Sequence, residues 1–278
     1  MTRVDNGSPQ GRDEIKRLLA DAGHRPNKEL GQNFLTDPEI VNRIVSLARV
    51  NDRTSVVEIG AGTGTLTMAL ARAARRVVAY EIDPHLESIL SATVGGMANV
   101  EVRIADASGV RLEDELAGEP WTLVANLPYN VGTGIVLDAL TGSPKVESYV
   151  VMVQREVADR MLADPGSRIY GLPSVAVGLH AKGTLAFTVP PEVFDPAPRV
   201  ESAVILLERV EPDQYAHRAL EIATGAFGQR RKMLRRSLAS VLNDPEATIV
   251  AAGIDPTLRA EDLAPEEFVA IARAEEAS

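Results

Sequence analysis

Five short, nearly continuous apolar runs, Ser55–Ile59, Arg76–Tyr80, Val100–Ile104, Thr122–Ala125 and Tyr149–Val153, alternate with stretches of helical apolar spacing. No other feature restricts the fold as much. Runs this short and this apolar must be covered on both faces, as the strands of a parallel sheet are. The covering helices are predicted at Leu66–Ala74, Pro84–Ala92, Ile135–Leu140 and Arg155–Leu162. The resulting βαβα order predicts an α/β chain built on a doubly wound sheet. Two helices precede it, Arg12–Ala22 and Asp37–Arg49. The second opens with Asp37 as N-cap and Pro38 at the first helical position, and it buries Ile40, Val41, Ile44, Val45 and Ala48. Thr184–Val189 and Ala203–Glu208 flank a Pro-rich loop and are predicted to pair as an antiparallel edge hairpin. Around Val210–Asp213 the strand pattern stops, and only helical pattern follows: Tyr215–Leu242, then shorter pieces interrupted at Gly253 and Pro256. The expected organisation is a disordered tail over 1–11, one large domain over 12–209 and a small all-helical domain over 210–278.

Composition narrows the function classes. Among 278 residues, 45% are hydrophobic and 24% charged, a balance that excludes a disordered chain, and no apolar run reaches membrane-spanning length. The polar N-terminus lacks the apolar stretch of a secretory signal. There is no Cys, which removes disulfides, thiolate zinc sites and a cysteine nucleophile and suits a reducing, cytoplasmic setting. His24, His85, His180 and His217 are far apart without metal-ligand spacing, so no metal is expected. The net charge of −10 argues against a nucleic-acid partner only until its distribution is read. Between Asn243 and Ser278 nine acids face two bases, whereas Arg230, Arg231, Lys232, Arg235 and Arg236 lie in a stretch, Ile222–Leu242, that has no acid. On a continuous helix 231 and 235 share one side and 232 and 236 the next, a basic patch suited to phosphates.

Glu58-Ile59-Gly60-Ala61-Gly62-Thr63-Gly64 stands where the first strand hands over to its helix. Without Cβ atoms the backbone can turn sharply and approach a ligand closely, although the same glycines also suit a plain strand-to-helix turn. Glu81, 21 residues beyond Gly60, ends the next strand, where a carboxylate can accept both hydroxyls of a ribose. Thr65 occupies the place where a nicotinamide-binding turn has Gly or Ala, so a nucleoside without pyrophosphate is the better match. Asp106 follows the third strand, placed to accept from an adenine amine or to cap a helix. Asn126-Leu127-Pro128-Tyr129 follows the fourth strand. A nucleobase amine is a poor nucleophile because its lone pair is delocalised into the ring. Two acceptors, the Asn126 side-chain carbonyl and the Leu127 backbone carbonyl, would favour its pyramidal, reactive form. Pro128 stiffens the turn, and Tyr129 offers a ring on which an extruded base can stack.

Asn126–Tyr129, Gly31-Gln32-Asn33-Phe34-Leu35, the loop Phe194-Asp195-Pro196-Ala197-Pro198-Arg199-Val200-Glu201-Ser202-Ala203-Val204 and Phe227-Gly228-Gln229-Arg230-Arg231-Lys232-Met233-Leu234-Arg235 occur in the order of the adenine-N6 rRNA dimethyltransferases of KsgA/RsmA type. The chain resembles that family over nearly its whole length. The resemblance implies a Rossmann-like methyltransferase fold, S-adenosylmethionine as donor, and two adjacent adenosines of the 3′-terminal hairpin of small-subunit rRNA as acceptors, each methylated twice. It also implies a cytoplasmic monomer acting on the pre-30S particle during ribosome biogenesis. Asn33 and Leu35 would touch the methionine part of the donor, Gly60 and Gly62 its backbone-facing side, Glu81 its ribose and Asp106 its adenine. Asn126 would serve donor and acceptor alike, Phe194 and Tyr129 would sandwich the target base, and Arg230, Arg231, Lys232 and Arg235 would contact RNA. A single-site methyltransferase of large-subunit rRNA and a chiefly non-catalytic assembly factor are the alternatives. Val131-Gly132-Thr133-Gly134 departs from the family's common I-S-[ST]-P, and its two glycines are expected to loosen the loop beside the acceptor pocket.

Overall fold

The computed structural model describes residues 9–107, 112–116, 118, 120–129 and 131–277. The chain opens with α1 (Arg12–Asp21), β1 (Phe34–Leu35) and α2 (Pro38–Leu47). The expected cap of α2 is present: Asp37 Oδ1 accepts from the Glu39 and Ile40 N–H groups at 2.8 and 3.4 Å. Then follow β2 (Ser55–Ile59), α3 (Thr65–Ala73), β3 (Arg76–Glu81), α4 (Glu87–Val94), β4 (Val100–Ile104), α5 (Leu112–Glu115), β5 (Trp121–Asn126), α6 (Gly132–Gly142) and β6 (Val146–Gln154). After α7 (Arg155–Met161) and α8 (Leu172–His180) come β7 (Ala181–Val189), β8 (Phe194–Asp195) and β9 (Ser202–Arg209). The chain closes with α9 (Ala216–Gly228), α10 (Leu234–Ser237), α11 (Pro245–Ala251) and α12 (Pro265–Glu276).

The main sheet has the order β4-β3-β2-β5-β6-β9-β7, with β2 parallel to β3 and β5, β3 to β4, and β5 to β6. From β2 the chain moves outward through β3 to β4, then returns to the other side of β2 for β5 and β6. That reversal makes the doubly wound topology, and β2 and β5 flank the point where it happens. Each residue of β2 is buried, in keeping with helices on both faces. β7 and β9 are neighbours at the far edge, and the two-residue β8 pairs antiparallel with β1, Leu35 opposite Phe194.

Three boundaries differ from the sequence-based expectation. Gln10, placed in the predicted tail, is fully buried: its N–H donates to Thr65 Oγ1 at 2.9 Å and its Nε2 to the Thr63 carbonyl at 3.2 Å, while its Oε1 accepts from Thr63 Oγ1 at 2.8 Å. A buried glutamine with all these partners is part of the fold; residues 1–8 of that expected tail lie outside the described residues. Second, the chain divides into two compact units, one reaching Arg155 and including Leu185–Leu207, the other containing Glu156–Thr184 and the chain from Glu208 onward. α8, which lies within the stretch assigned to the large domain, packs elsewhere: Tyr170, Val175 and Leu179 are buried in one cluster with Ala219, Ile222, Ala223 and Phe268. The Tyr170 hydroxyl completes that attachment by donating to the Leu263 carbonyl at 2.9 Å. Third, the expected helix Tyr215–Leu242 stops at Gly228. Met233 turns extended and bridges Arg259, and the Leu234 N–H leaves for the Leu258 carbonyl at 2.7 Å. Tertiary backbone pairing therefore takes donors that a continuous helix would have used.

Candidate active site

At a topological switch point the loops after two neighbouring parallel strands diverge in opposite directions and leave a crevice at the carboxyl ends. Here those strands are β2 and β5, with Ile59 opposite Ala125. The crevice is lined by Asn33 and Leu35, by Gly60 and Gly62, by Glu81 and Ile82, and by Asn126, Leu127, Pro128 and Tyr129. Gly60 adopts φ +84°, and a Cβ on it would stand 3.3 Å from the Asn126 carbonyl oxygen, so the glycine bend and the β5 terminus meet backbone to backbone. A side chain at 60 would be strained twice, by its dihedral and by that contact.

Glu81 is buried at the end of β3 and is held at both oxygens. Oε2 accepts from the Gly62 N–H at 2.7 Å, and Oε1 accepts from the Asp83 N–H at 2.9 Å. Burial raises its pKa, and these backbone bonds work against the rise. Each oxygen keeps a second lone pair for a ligand hydroxyl. Asn126 is the last residue of β5. Its Nδ2 donates to the Asn33 carbonyl at 3.4 Å, which leaves Oδ1 as the acceptor on the cleft wall. The Leu127 N–H donates to the Met152 carbonyl at 3.0 Å and fixes the peptide that joins Asn126 to Leu127. Tyr129 is half-buried, its hydroxyl bonded to Ser202 Oγ at 2.7 Å, and burial pushes that hydroxyl's pKa up.

Two expected placements are not realised, those of Phe194 and of the basic residues. Phe194 is 1% exposed, part of the main apolar core and not of the cleft wall, so its ring fills space beneath the Pro-rich loop instead of facing a base. Its pairing with Leu35 in β1 turns the side chain inward. Asp106 follows β4 at the carboxyl end of the sheet, as expected, and is exposed; it is not among the residues that line this crevice. Arg230, Arg231 and Lys232 lie in the turn after α9, not along a helix. Arg230 Nε donates to Glu261 Oε2 at 2.7 Å, and Arg235 pairs with Glu246 at 3.5 Å. The acids absent from the neighbouring sequence are thus supplied by the acidic segment. Arg231 and Lys232 are exposed and form no ion pair among the described residues.

Sequence reading assigned no role to Glu58. It lies on β2, 1% exposed, in the wall of the cleft, and neither carboxylate oxygen has a partner. Burial outweighs the opposing Thr67 hydroxyl and, with the nearby Glu81 charge, pushes its pKa up to about 8. The available signal was an acid in the middle of an otherwise wholly buried strand, where an unpaired charge is costly.

A glycine bend after the first strand, an acid closing the second and Asn-Leu-Pro-Tyr at the end of the fourth, on this sheet order, define a Rossmann-like methyltransferase. The profile of the ribosomal RNA adenine dimethylases matches residues 23–275, and the chain belongs to that family. Among curated relatives, a "Ribosomal RNA small subunit methyltransferase A" from Nocardia farcinica is 45% identical over 273 residues, 93% of each chain. Its namesake from Streptomyces avermitilis is 46% identical, covering 93% of this chain and 91% of the relative. Among solved structures, a dimethyladenosine transferase from Plasmodium falciparum superposes with TM-score 0.71 at 25% identity, over 86% of this chain and 95% of that one. The 23S rRNA methyltransferase ErmE gives TM-score 0.68 at 28% identity, over 88% of this chain and all of that one. Among the described residues, no helix is long and apolar enough to cross a membrane.

Proposed function

We propose that this chain transfers methyl groups from S-adenosylmethionine to N6 of two adjacent adenosines in the 3′-terminal hairpin of small-subunit rRNA, giving dimethyladenosines. Curated relatives at 45–46% identity carry the small-subunit name, and they support this substrate over the large-subunit one of the more distant ErmE. The observation that carries the reading is the Asn126 amide, whose nitrogen is committed to Asn33 while its oxygen remains as an acceptor beside Tyr129 in the cleft.

The residues of the cleft fit such a donor. Glu81 retains lone pairs for ribose hydroxyls, the backbone at Gly60 and Gly62 admits close approach, and Glu58 offers orphan buried oxygens to a ligand rich in hydrogen-bond donors. When bound, S-adenosylmethionine supplies an electrophilic methyl group on a sulfonium whose leaving group is a neutral thioether. Asn33, Leu35, Gly60, Gly62, Glu81 and Asn126 would hold it. The chain's own task is then alignment, which alone accounts for several orders of magnitude in rate. Asn126 Oδ1 and the Leu127 carbonyl accept from the adenine amine and localise its lone pair. The Tyr129 ring, tethered through Ser202, stacks the base. Extrusion from the hairpin costs a few kcal/mol, less where the target is already single-stranded. Arg231 and Lys232 remain available for phosphates, and assembling small subunits are the partner.

The test is incubation of the protein with labelled S-adenosylmethionine and under-methylated small subunits, with large-subunit rRNA in parallel, followed by mapping of the modified nucleotides. Two neighbouring dimethyladenosines near the small-subunit 3′ end are expected. A single modified adenosine in the large-subunit rRNA would replace this reading with the ErmE-like one, and rescue of assembly by a donor-site variant would favour a binding factor.

A further inference from the structure

The two walls of the cleft come from distant parts of the chain. One is the segment from Gly31 to Leu35, and the other is the end of β3 with the turn beyond it, which carry Glu81 and Ile82. The Gln32 side chain joins them. Gln32 Nε2 donates to Asp83 Oδ2 at 2.8 Å, while its Oε1 accepts from the Asn27 N–H at 2.7 Å and faces His24 Nε2 at 3.1 Å. The Gln32 N–H donates to the Asn27 carbonyl at 3.2 Å, so the same residue closes the turn from Asn27 to Gln32 and anchors it. Asp83 is 3% exposed and equally committed. Its Oδ1 accepts from the His85 N–H at 3.0 Å and pairs with His85 Nδ1 at 2.9 Å, and its own N–H is one of the two donors on Glu81. Burial opposes the Asp83 charge, but the Gln32 and His85 bonds and nearby His24 outweigh it and hold the carboxyl below the usual carboxylate range.

A continuous chain of bonds therefore runs from the Asn27–Asn33 turn through Gln32 and Asp83 to Glu81 and on to Gly62. Each end matters to the cleft: the Asn33 carbonyl orients the Asn126 amide, and Glu81 faces the space between the glycines and Ile82. We infer that Gln32 and Asp83 are a positioning pair that sets the spacing between the two walls and thereby the affinity for the donor, an inference that rests on the proposed donor site. A hydrogen bond from a neutral amide to a buried carboxylate is directional and among the stronger kinds, so it can fix that spacing. Of the titratable groups around the pair, Glu81 is repelled by Asp83, and His24 and His85 stabilise it.

The test is isothermal titration of the full-length protein with S-adenosylmethionine at a temperature well below the unfolding midpoint of every variant. Gln32→Glu sets two carboxylates against each other and is expected to raise the donor Kd roughly tenfold. Adding Asp83→Asn restores an amide–carboxylate bond with its direction reversed, and the double variant should return to within about threefold of wild type. A purely structural pair would lower the unfolding midpoint and leave Kd unmoved. Unchanged Kd in Gln32→Glu, or a double variant no better than that single one, overturns the inference. If Gln32→Glu fails to fold, Gln32→Met, of equal reach and without an amide, carries the same expectation and the same refutation. Failure of the wild-type protein to bind S-adenosylmethionine would instead fault the donor assignment itself.

Discussion

Gly132 lies so close to Leu127 that a Cβ added to it would stand 3.1 Å from the Leu127 Cβ and 3.5 Å from a Val153 methyl. The first residue of α6 is thus pressed against the residue whose carbonyl is proposed to grip the substrate amine, and the Gly132 N–H donates to the Pro128 carbonyl at 2.9 Å. This glycine tightens the loop that it was expected to loosen. Gly134, two residues on, meets nothing within 4 Å. Gly132→Val should therefore cost about 1–3 kcal/mol by overpacking and depress methylation. Gly134→Ala should stabilise by about 0.5–1 kcal/mol and leave the rate unchanged. Urea unfolding of both variants checks the contrast, and equal effects would show that the Leu127 contact is immaterial.

Asn126→Ala removes the acceptor that the structure orients by a bond to Asn33. The folded variant should lose about a hundredfold or more in kcat, the scale seen when one oriented polar group is removed from a transition state. Donor KM should rise as well, by a smaller factor, because Asn126 is also one of the residues proposed to hold the donor. Near-normal turnover would remove this residue from the chemistry.

Glu58 makes folding stability depend on pH. Its folded-state pKa, about 8 against an ordinary 4.5, lies above that of the unfolded chain. Its contribution is thus complete below about pH 4.5, declines as the unfolded carboxyl ionises, and is lost as pH rises through the folded value. Glu58→Gln cannot ionise, so it should match wild type in acid and exceed it by about 3 kcal/mol at pH 7. Parallel stability profiles for the two proteins between pH 4 and 8 would contradict the raised pKa.

The basic residues should separate into two kinds. Arg231→Ala with Lys232→Ala should weaken rRNA binding and lower the salt slope by about 1–2, because each exposed cation displaces counterions. Arg230→Ala should act through its pair with Glu261, a bond about one-third exposed and so worth less than about 1 kcal/mol of stability. Filter binding across a salt series distinguishes them; an Arg230 effect on the slope as large as that of its neighbours would place all three on the RNA.

Residue order by itself determined the strands of the main sheet, the cap of α2 and the cleft motifs, because each follows from local period or from a short run with one chemical use. Ser55–Ile59 and Val100–Ile104 coincide with β2 and β4 to the residue, and Asn33, Leu35, Gly60, Gly62, Glu81 and Asn126–Tyr129 do meet in one cleft. The doubly wound order forces that meeting, since it brings the ends of β2 and β5 side by side. What only the tertiary structure decided depends on partners remote along the chain. Phe194 is buried by its pairing with Leu35, α9 ends where Leu258 and Arg259 claim the backbone, Arg230 is neutralised by Glu261, and Gln10 and Gln32 find acceptors 53 and 51 residues away. No periodicity encodes such contacts, because a side chain's burial and charge are set by whichever segment folds against it.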